Sequence, residues 1–155
     1  MSIVNTALAC DSKKMGQYLE LLQKEYPFLQ VETIGHSRFG TAIPAIRLGD
    51  QERCSLCAGG FHGTEWITSL LLLKYVEFFC HCKTHSIRWR GYDMEYLFST
   101  RCQWIVPMVN PDGVDLSLLR IPSQHHESII QMCHYSDLPQ RWQANGAWVD
   151  LNHNY

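Results

Sequence analysis

Met15, Tyr18, Leu19, Leu22 and Tyr26 recur at intervals of three and four residues, the spacing that gathers apolar side chains on one face of an α-helix. Asp11 and Ser12 offer an N-cap ahead of them, and Pro27 ends the helix because it lacks the N–H that another turn needs. Two shorter runs, 30–34 and 42–48, predict β-strands. Between them Gly35-His36-Ser37-Arg38-Phe39-Gly40 carries glycine at both ends, as a hairpin connection does. A third strand is predicted over 53–58, running into Gly59-Gly60-Phe61-His62-Gly63-Thr64-Glu65. Residues 66–82 then read as a helix apolar on most sides, the mark of an element packed deep in a fold.

Beyond it the pattern weakens. Residues 85–100 mix polar and apolar positions without a period and predict an irregular loop. The run 103–109 is apolar enough for a buried strand, and Asn110-Pro111-Asp112-Gly113 reads as a strong turn. Residues 114–135 carry little signal, 137–144 predict a short helix, and 147–151 a last strand. Strands alternating with helices predict one α/β domain, a three-layer sandwich around a mixed, mainly parallel sheet.

Composition narrows the function. Thirteen basic residues stand against fifteen acidic ones, a formal net charge of -2, so there is no electrostatic case for nucleic acid. Charged residues make up 18% and hydrophobic ones 46%. That is fewer charges than the usual quarter or so, and it predicts that part of the surface is covered, either by a partner or by more protein. The longest apolar run, 67–79, contains Lys74 and Glu77 and falls short of the roughly 20 residues that span a bilayer. No Lys or Arg precedes Leu8-Ala9-Cys10, so no cleavable leader is expected. The seven cysteines form no small-domain framework, which predicts reduced thiols and a cytoplasmic location. Cys54, Cys57, Cys80 and Cys82 could be combined into a structural zinc site, but Cys80 and Cys82 are separated by only one residue. Small buried hydrophobes are the better reading of Cys54 and Cys57.

Reactive groups in open α/β sheets gather at the carboxyl ends of strands. Two polar clusters fall there: His62-Gly63-Thr64-Glu65, and Asp150-Leu151-Asn152-His153-Asn154-Tyr155. His62 and Glu65 are three residues apart, so a helical turn puts imidazole and carboxylate on one face, where the pair can hold a divalent cation. The plainer alternative is that His62 caps a loop while Glu65 favours a helix N-terminus through the dipole.

Phe61-His62-Gly63-Thr64-Glu65-Trp66, Val109-Asn110-Pro111-Asp112-Gly113, Arg141-Trp142-Gln143-Ala144-Asn145 and Val149-Asp150-Leu151-Asn152-His153-Asn154-Tyr155 occur in that order. Together they resemble the zinc carboxypeptidase family (carboxypeptidase A-like metallopeptidases) and, within it, bacterial γ-D-glutamyl-L-diamino acid endopeptidases, which cut cell-wall peptides. The likeness runs from about Gln17 to Tyr155 and includes Glu25-Tyr26-Pro27-Phe28-Leu29 and Ile34-Gly35-His36-Ser37. It implies a carboxypeptidase-like fold and one zinc ion. His62 and Glu65 would be two of three zinc ligands, and Asp150 the carboxylate that orients His62. Asn152, His153 and Gln143 would face a peptide or cell-wall muropeptide substrate.

The same resemblance exposes departures. His153 stands where carboxypeptidases proper carry an arginine, whose two parallel hydrogen bonds clamp a terminal carboxylate. A histidine cannot form that fork and loses its charge near neutrality. Gln143 replaces a basic residue and can donate a hydrogen bond only as a neutral amide. Trp148 stands at a glycine position. The third ligand, a histidine, and the glutamate general base are expected beyond Tyr155. Histidines 81, 85, 125, 126 and 134 match no such motif, and His125-His126-Glu127 reads as a surface loop. Residues 1–155 are therefore expected to be the N-terminal part of a zinc peptidase catalytic domain, apparently truncated, with no second domain. A missing C-terminal half would be the partner. Alone, the chain is expected to bind zinc weakly and to have little or no peptidase activity; the alternative is an inactive remnant or binding module.

Overall fold

The structure, a computed structural model, describes residues 2–120, 125 and 141–153. Helix α1 spans Ser12–Glu25 and begins where Asp11 accepts a hydrogen bond from the Lys14 N–H. It buries Met15, Tyr18, Leu19 and Leu22, the residues whose spacing predicted it. Strands β1 (Gln30–His36) and β2 (Ala42–Leu48) form the expected antiparallel hairpin. Strand β3 (Cys54–Ala58) leads through a short 3-10 turn, Gly63–Glu65, into α2 (Trp66–Thr84). A small hairpin of β4 (Arg88–Trp89) and β5 (Tyr92–Asp93) follows, then α3 (Met94–Thr100), β6 (Cys102–Val106) and α4 (Pro111–Ser117).

The main sheet has the order β1-β2-β6-β3. It is mixed, as expected: β3 pairs with β6 in parallel, while β2 is antiparallel to both β1 and β6. Antiparallel pairs outnumber parallel ones among the described strands because β1 and β2 are joined by a hairpin. The core lies where α1 and α2 meet this sheet, with Leu22, Ile46, Leu70, Leu73, Val76, Cys80 and Ile105 all fully or nearly fully buried. Glu77 is buried with them, accepting from the Ile3 N–H (2.6 Å), the Val4 N–H (3.3 Å) and the Lys74 ammonium (2.7 Å). The N-terminal segment is thereby tied to α2.

Several expectations are corrected. Residues 85–100 hold the β4–β5 hairpin and α3, elements too short to register as a period. Asn110-Pro111-Asp112-Gly113 opens a helix, not a turn: Asn110 caps it and Pro111 takes the first helical position, where its missing N–H costs nothing. No strand forms over 147–151, because Asn145 takes up N–H groups that a strand would have offered to a neighbour. Half of the helix expected over 137–144 lies outside the described residues, and 141–144 form no α-helix.

Strand β3 was expected to be buried, with Cys54 and Cys57 in the core. Among the described strands it is instead the edge of the sheet, with Leu56 68% exposed. Cys54 is disulfide-bonded to Cys102, its in-register partner on β6, so the expectation of reduced thiols fails at this pair. Helix α2 is packed on one side only. Ile67 and Leu71 on its other side are 56% and 67% exposed. Among the described residues, no helix is long and apolar enough to cross a membrane.

Candidate active site

The end of β3 is held to β6 by backbone bonds that continue past both strands. Gly59 donates to the Val106 carbonyl (3.0 Å), and Val109 and Asn110 donate to the carbonyls of Gly59 and Gly60 (both 2.9 Å). Gly60 has φ +62, and a Cβ there would lie 2.9 Å from Ser69 Oγ. Only glycine meets both demands, so the chain turns here and presents His62 above the sheet. Thr68 Oγ1 accepts from the Gly60 N–H and donates to the Glu65 carbonyl, each at 2.8 Å, which steadies the turn.

His62 stands between two carboxylates. Its Nδ1 lies 2.9 Å from Glu65 Oε1, and its Nε2 lies 3.3 Å from Asp150 Oδ1. The hydrogen bond to Glu65 raises the imidazole pKa above its ordinary value; partial burial opposes this, and Asp150 adds to it. Asp150 is held below the usual carboxylate range, first by the N–H of Asn152, which donates to Oδ1 at 2.9 Å, and also by the nearby His153 and His62 rings. His153 Nε2 is 3.9 Å from Asp150 Oδ2.

Asp150 reaches this place through a tight turn. Asn145 Oδ1 accepts from the Ala147 (2.8 Å) and Val149 (3.1 Å) N–H groups. The Asn145 N–H also donates to the Val149 carbonyl (2.9 Å), and its carbonyl accepts from the Trp148 N–H (3.1 Å). These bonds take the backbone groups that a strand over 147–151 would have offered to a neighbour, which is why that strand is absent. Trp148 closes the turn with φ +67, and its ring packs edge-on to Trp142 at 5.7 Å.

The structure thus brings together His62, Glu65 and Asp150, with the Asn152 backbone and His153 alongside. Gln143 is less involved: its side chain is exposed, and it enters the cluster through its carbonyl. Two residues at the start of α4, its cap Asn110 and Asp112 within it, were missed as site residues. Asn110 and Asp112 are 1% and 3% exposed. Asp112 accepts from Ser37 Oγ (2.6 Å) and the Phe39 N–H (3.0 Å), tying the β1–β2 connection to the site. The signal was the Asn-Pro pair, which marks a capped helix start as well as a turn.

An imidazole nitrogen and a carboxylate oxygen converging from one segment, with the other ring nitrogen on a carboxylate, suit zinc as donor chemistry. No group of three His, Cys, Asp or Glu side chains that could hold a metal occurs among the described residues. The residues present therefore fit two protein ligands of such an ion and the support behind one of them.

Comparison with known proteins gives the family. A family model described as "Zinc carboxypeptidase" matches residues 15–155. The chain is 32% identical to gamma-D-glutamyl-L-diamino acid endopeptidase 1 of Lysinibacillus sphaericus, over 99% of this chain and 39% of that protein. It is 29% identical to an uncharacterised protein of Bacillus subtilis (strain 168), over 94% of this chain and 40% of that protein. The chain thus spans about two fifths of the length of these curated relatives. In fold it is similar to bovine thrombin-activatable fibrinolysis inhibitor, solved with a tick carboxypeptidase inhibitor. That match has a TM-score of 0.65 at 16% identity, over 90% of this chain and 38% of that one. Carboxypeptidase A from Helicoverpa armigera superposes with a TM-score of 0.58 at 21% identity, over 74% of this chain and 27% of that one.

Proposed function

Because the chain belongs to the zinc carboxypeptidase family, we propose that it supplies the His62 and Glu65 half of a zinc peptidase site that hydrolyses peptides. The observation that carries this reading is the convergence of His62 Nδ1 and Glu65 Oε1 at 2.9 Å, with Nε2 of the same ring on Asp150. Asp150 holds a proton at Nε2, which leaves the Nδ1 lone pair free for a metal and makes it more basic. When bound, the ion supplies Lewis acidity at a scissile carbonyl and lowers the pKa of water. Asn152, His153 and Gln143 would face the substrate, with His153 giving one hydrogen bond to a carboxylate where an arginine gives two.

The substrate class is a peptide, and a peptidoglycan-derived γ-D-glutamyl-diamino acid peptide in particular. The named activity of the Lysinibacillus relative supports it. The third zinc ligand and the general base would come from a C-terminal half, which makes residues 1–155 the N-terminal part of one catalytic domain. Two surfaces support that partner: the edge of β3 that pairs with no described strand, and the exposed apolar side of α2. Among the described residues four cysteines, at 10, 57, 80 and 82, are free; they favour a cytoplasmic location in this reading, and the Cys54–Cys102 bridge counts against it.

A second reading, a binding module without hydrolysis, is favoured by the neutral Gln143 and by His153 at an arginine position. Incubation with a γ-D-glutamyl-diaminopimelate peptide and zinc tests both. The chain alone is expected to shift the NMR signals of Asn152 and His153 without cleaving the peptide. Zinc-dependent cleavage by the chain alone would overturn the half-site reading, and unmoved signals would remove the substrate assignment.

A further inference from the structure

We propose that the carboxamide of Asn110 is the positioning group that sets the His62 loop against the segment carrying Asp150. The His62–Asp150 contact is 3.3 Å long and its carboxylate is about a third exposed. A contact this long, with one partner partly exposed, contributes only modestly to holding two segments together. Their placement has to come from buried bonds.

Asn110 supplies them. Its Nδ2 donates to the carbonyls of Phe61 (2.9 Å), Ala144 (3.1 Å) and Gln143 (3.4 Å), and its Oδ1 accepts from the Gly113 N–H (2.9 Å). Phe61 immediately precedes His62. Gln143 and Ala144 immediately precede the Asn145 turn that ends at Asp150. One side chain therefore holds both segments, and its two amide hydrogens are divided among three carbonyls.

The segments around Asn110 are closely packed. A Cβ on Gly113 would collide with Asn110 Nδ2 and lie 2.7 Å from the Ala144 carbonyl oxygen. A Cβ on Gly63 would collide with the Gly113 carbonyl and lie 2.7 Å from that of Trp142. With backbone packed this closely and Asn110 1% exposed, loss of the amide donors leaves buried carbonyls unpaired, and the segments separate to find water.

Asn110→Ser tests this, because serine keeps an acceptor for the α4 cap but removes both amide hydrogens. Ser117→Ala is the control: it deletes the bond from Ser117 Oγ to the Gly63 carbonyl (2.6 Å) in the same loop without touching residues 143 and 144. Each protein is read by thermal melting, by the 15N shifts of the His62 ring and by zinc titration. Asn110→Ser is expected to average the two ring nitrogens and to weaken zinc binding about tenfold or more. Ser117→Ala is expected to melt earlier with the ring signals unchanged. Unchanged ring signals in folded Asn110→Ser, or the same change in Ser117→Ala, overturn the proposal.

The zinc measurement alone rests on the proposed function. A shifted ring pattern with zinc affinity unmoved supports the positioning role and counts against the metal site. Should Asn110→Ser fail to melt cooperatively, the unmutated chain decides. Its Asn110 side-chain amide protons are expected to exchange with water as slowly as core backbone amides. Exchange at the rate of an exposed carboxamide overturns the proposal.

Discussion

Nε2 of His62 lies 3.3 Å from Oδ1 of Asp150, a residue 88 positions further along the chain. This contact joins the two polar clusters that the sequence places at separate strand ends, and it leaves Nδ1 facing Glu65. A carboxylate in this position fixes the ring tautomer and strengthens the nitrogen on the other side. Asp150→Ala is therefore expected to weaken zinc binding by about 10–100-fold, with little change in melting temperature because Asp150 is partly exposed. Equal zinc affinity in the two proteins, measured by titration calorimetry, would show that Asp150 does not support His62.

Trp148 adopts φ +67, a conformation that costs a residue with a Cβ about 1–2 kcal/mol. Its ring also packs on Trp142, so replacing it with glycine alone mixes two effects. Trp148→Ala and Trp148→Gly both lose the ring and differ only in the backbone. The glycine variant is expected to be the more stable by about 1 kcal/mol, read as the difference in urea midpoints. Equal midpoints would mean that the turn carries no strain.

The sequence was most legible where one period runs long enough to fix one face. Met15 to Leu22 placed α1, and the stretch after Trp66 placed α2. Their spacing depends only on local geometry. The small hairpin at Arg88–Asp93 was not legible, because strands of two residues have no period. The apolar stretch Ala147 to Leu151 predicted a strand, yet the Asn145 side chain captures its N–H groups, a competition that hydropathy does not register. Strand β3 has a core-like sequence, but whether a strand lies inside or at the edge of a sheet is a tertiary property. The site divides in the same way. His62, Glu65 and Asp150 stood out as a motif. Asn110 acts through carbonyls from two distant segments, and nothing local announces that.

Asp115 provides a pH signature. Burial raises its pKa to about 6 despite hydrogen bonds from the Ser12 N–H (2.7 Å) and hydroxyl (2.5 Å), and the negative charges of Asp11 and Asp112 push the same way. The folded state then holds a proton that the unfolded chain, with a pKa near 3.9, gives up. The stabilisation is complete below about pH 4 and is lost as pH rises through about 6. Glu77 runs the other way: burial alone would raise it, but Lys74 and the N–H groups of Ile3 and Val4 outweigh burial and lower it. Comparison with Asp115→Asn cancels the Glu77 effect. The unmutated chain is expected to lose stability relative to Asp115→Asn between pH 4 and 6, by up to about 3 kcal/mol. Parallel urea midpoints across that range would contradict the raised pKa.

The Cys54–Cys102 disulfide closes a loop with a sequence separation of 48 residues and staples the edge strand that leads to His62. Cys10 and Cys80 are buried, and burial pushes both thiols up to about 12, which leaves them unreactive. A dithiol reductant is thus expected to lower stability by about 2–4 kcal/mol, and to have no effect on a Cys54→Ser, Cys102→Ser double variant. A melting temperature that ignores the reductant in the unmutated chain would show that the bridge is not formed in solution.

Zinc titration of the chain, beside His62→Ala and Glu65→Ala, tests the half-site directly. Two protein ligands hold zinc far more weakly than the three of a catalytic site. The unmutated chain is expected to bind one ion with a dissociation constant of about 10 µM or weaker, and each variant is expected to bind none. Sub-micromolar affinity would contradict the account by showing that this chain completes the site itself. Binding that survives both substitutions would contradict it by showing that the ion sits elsewhere.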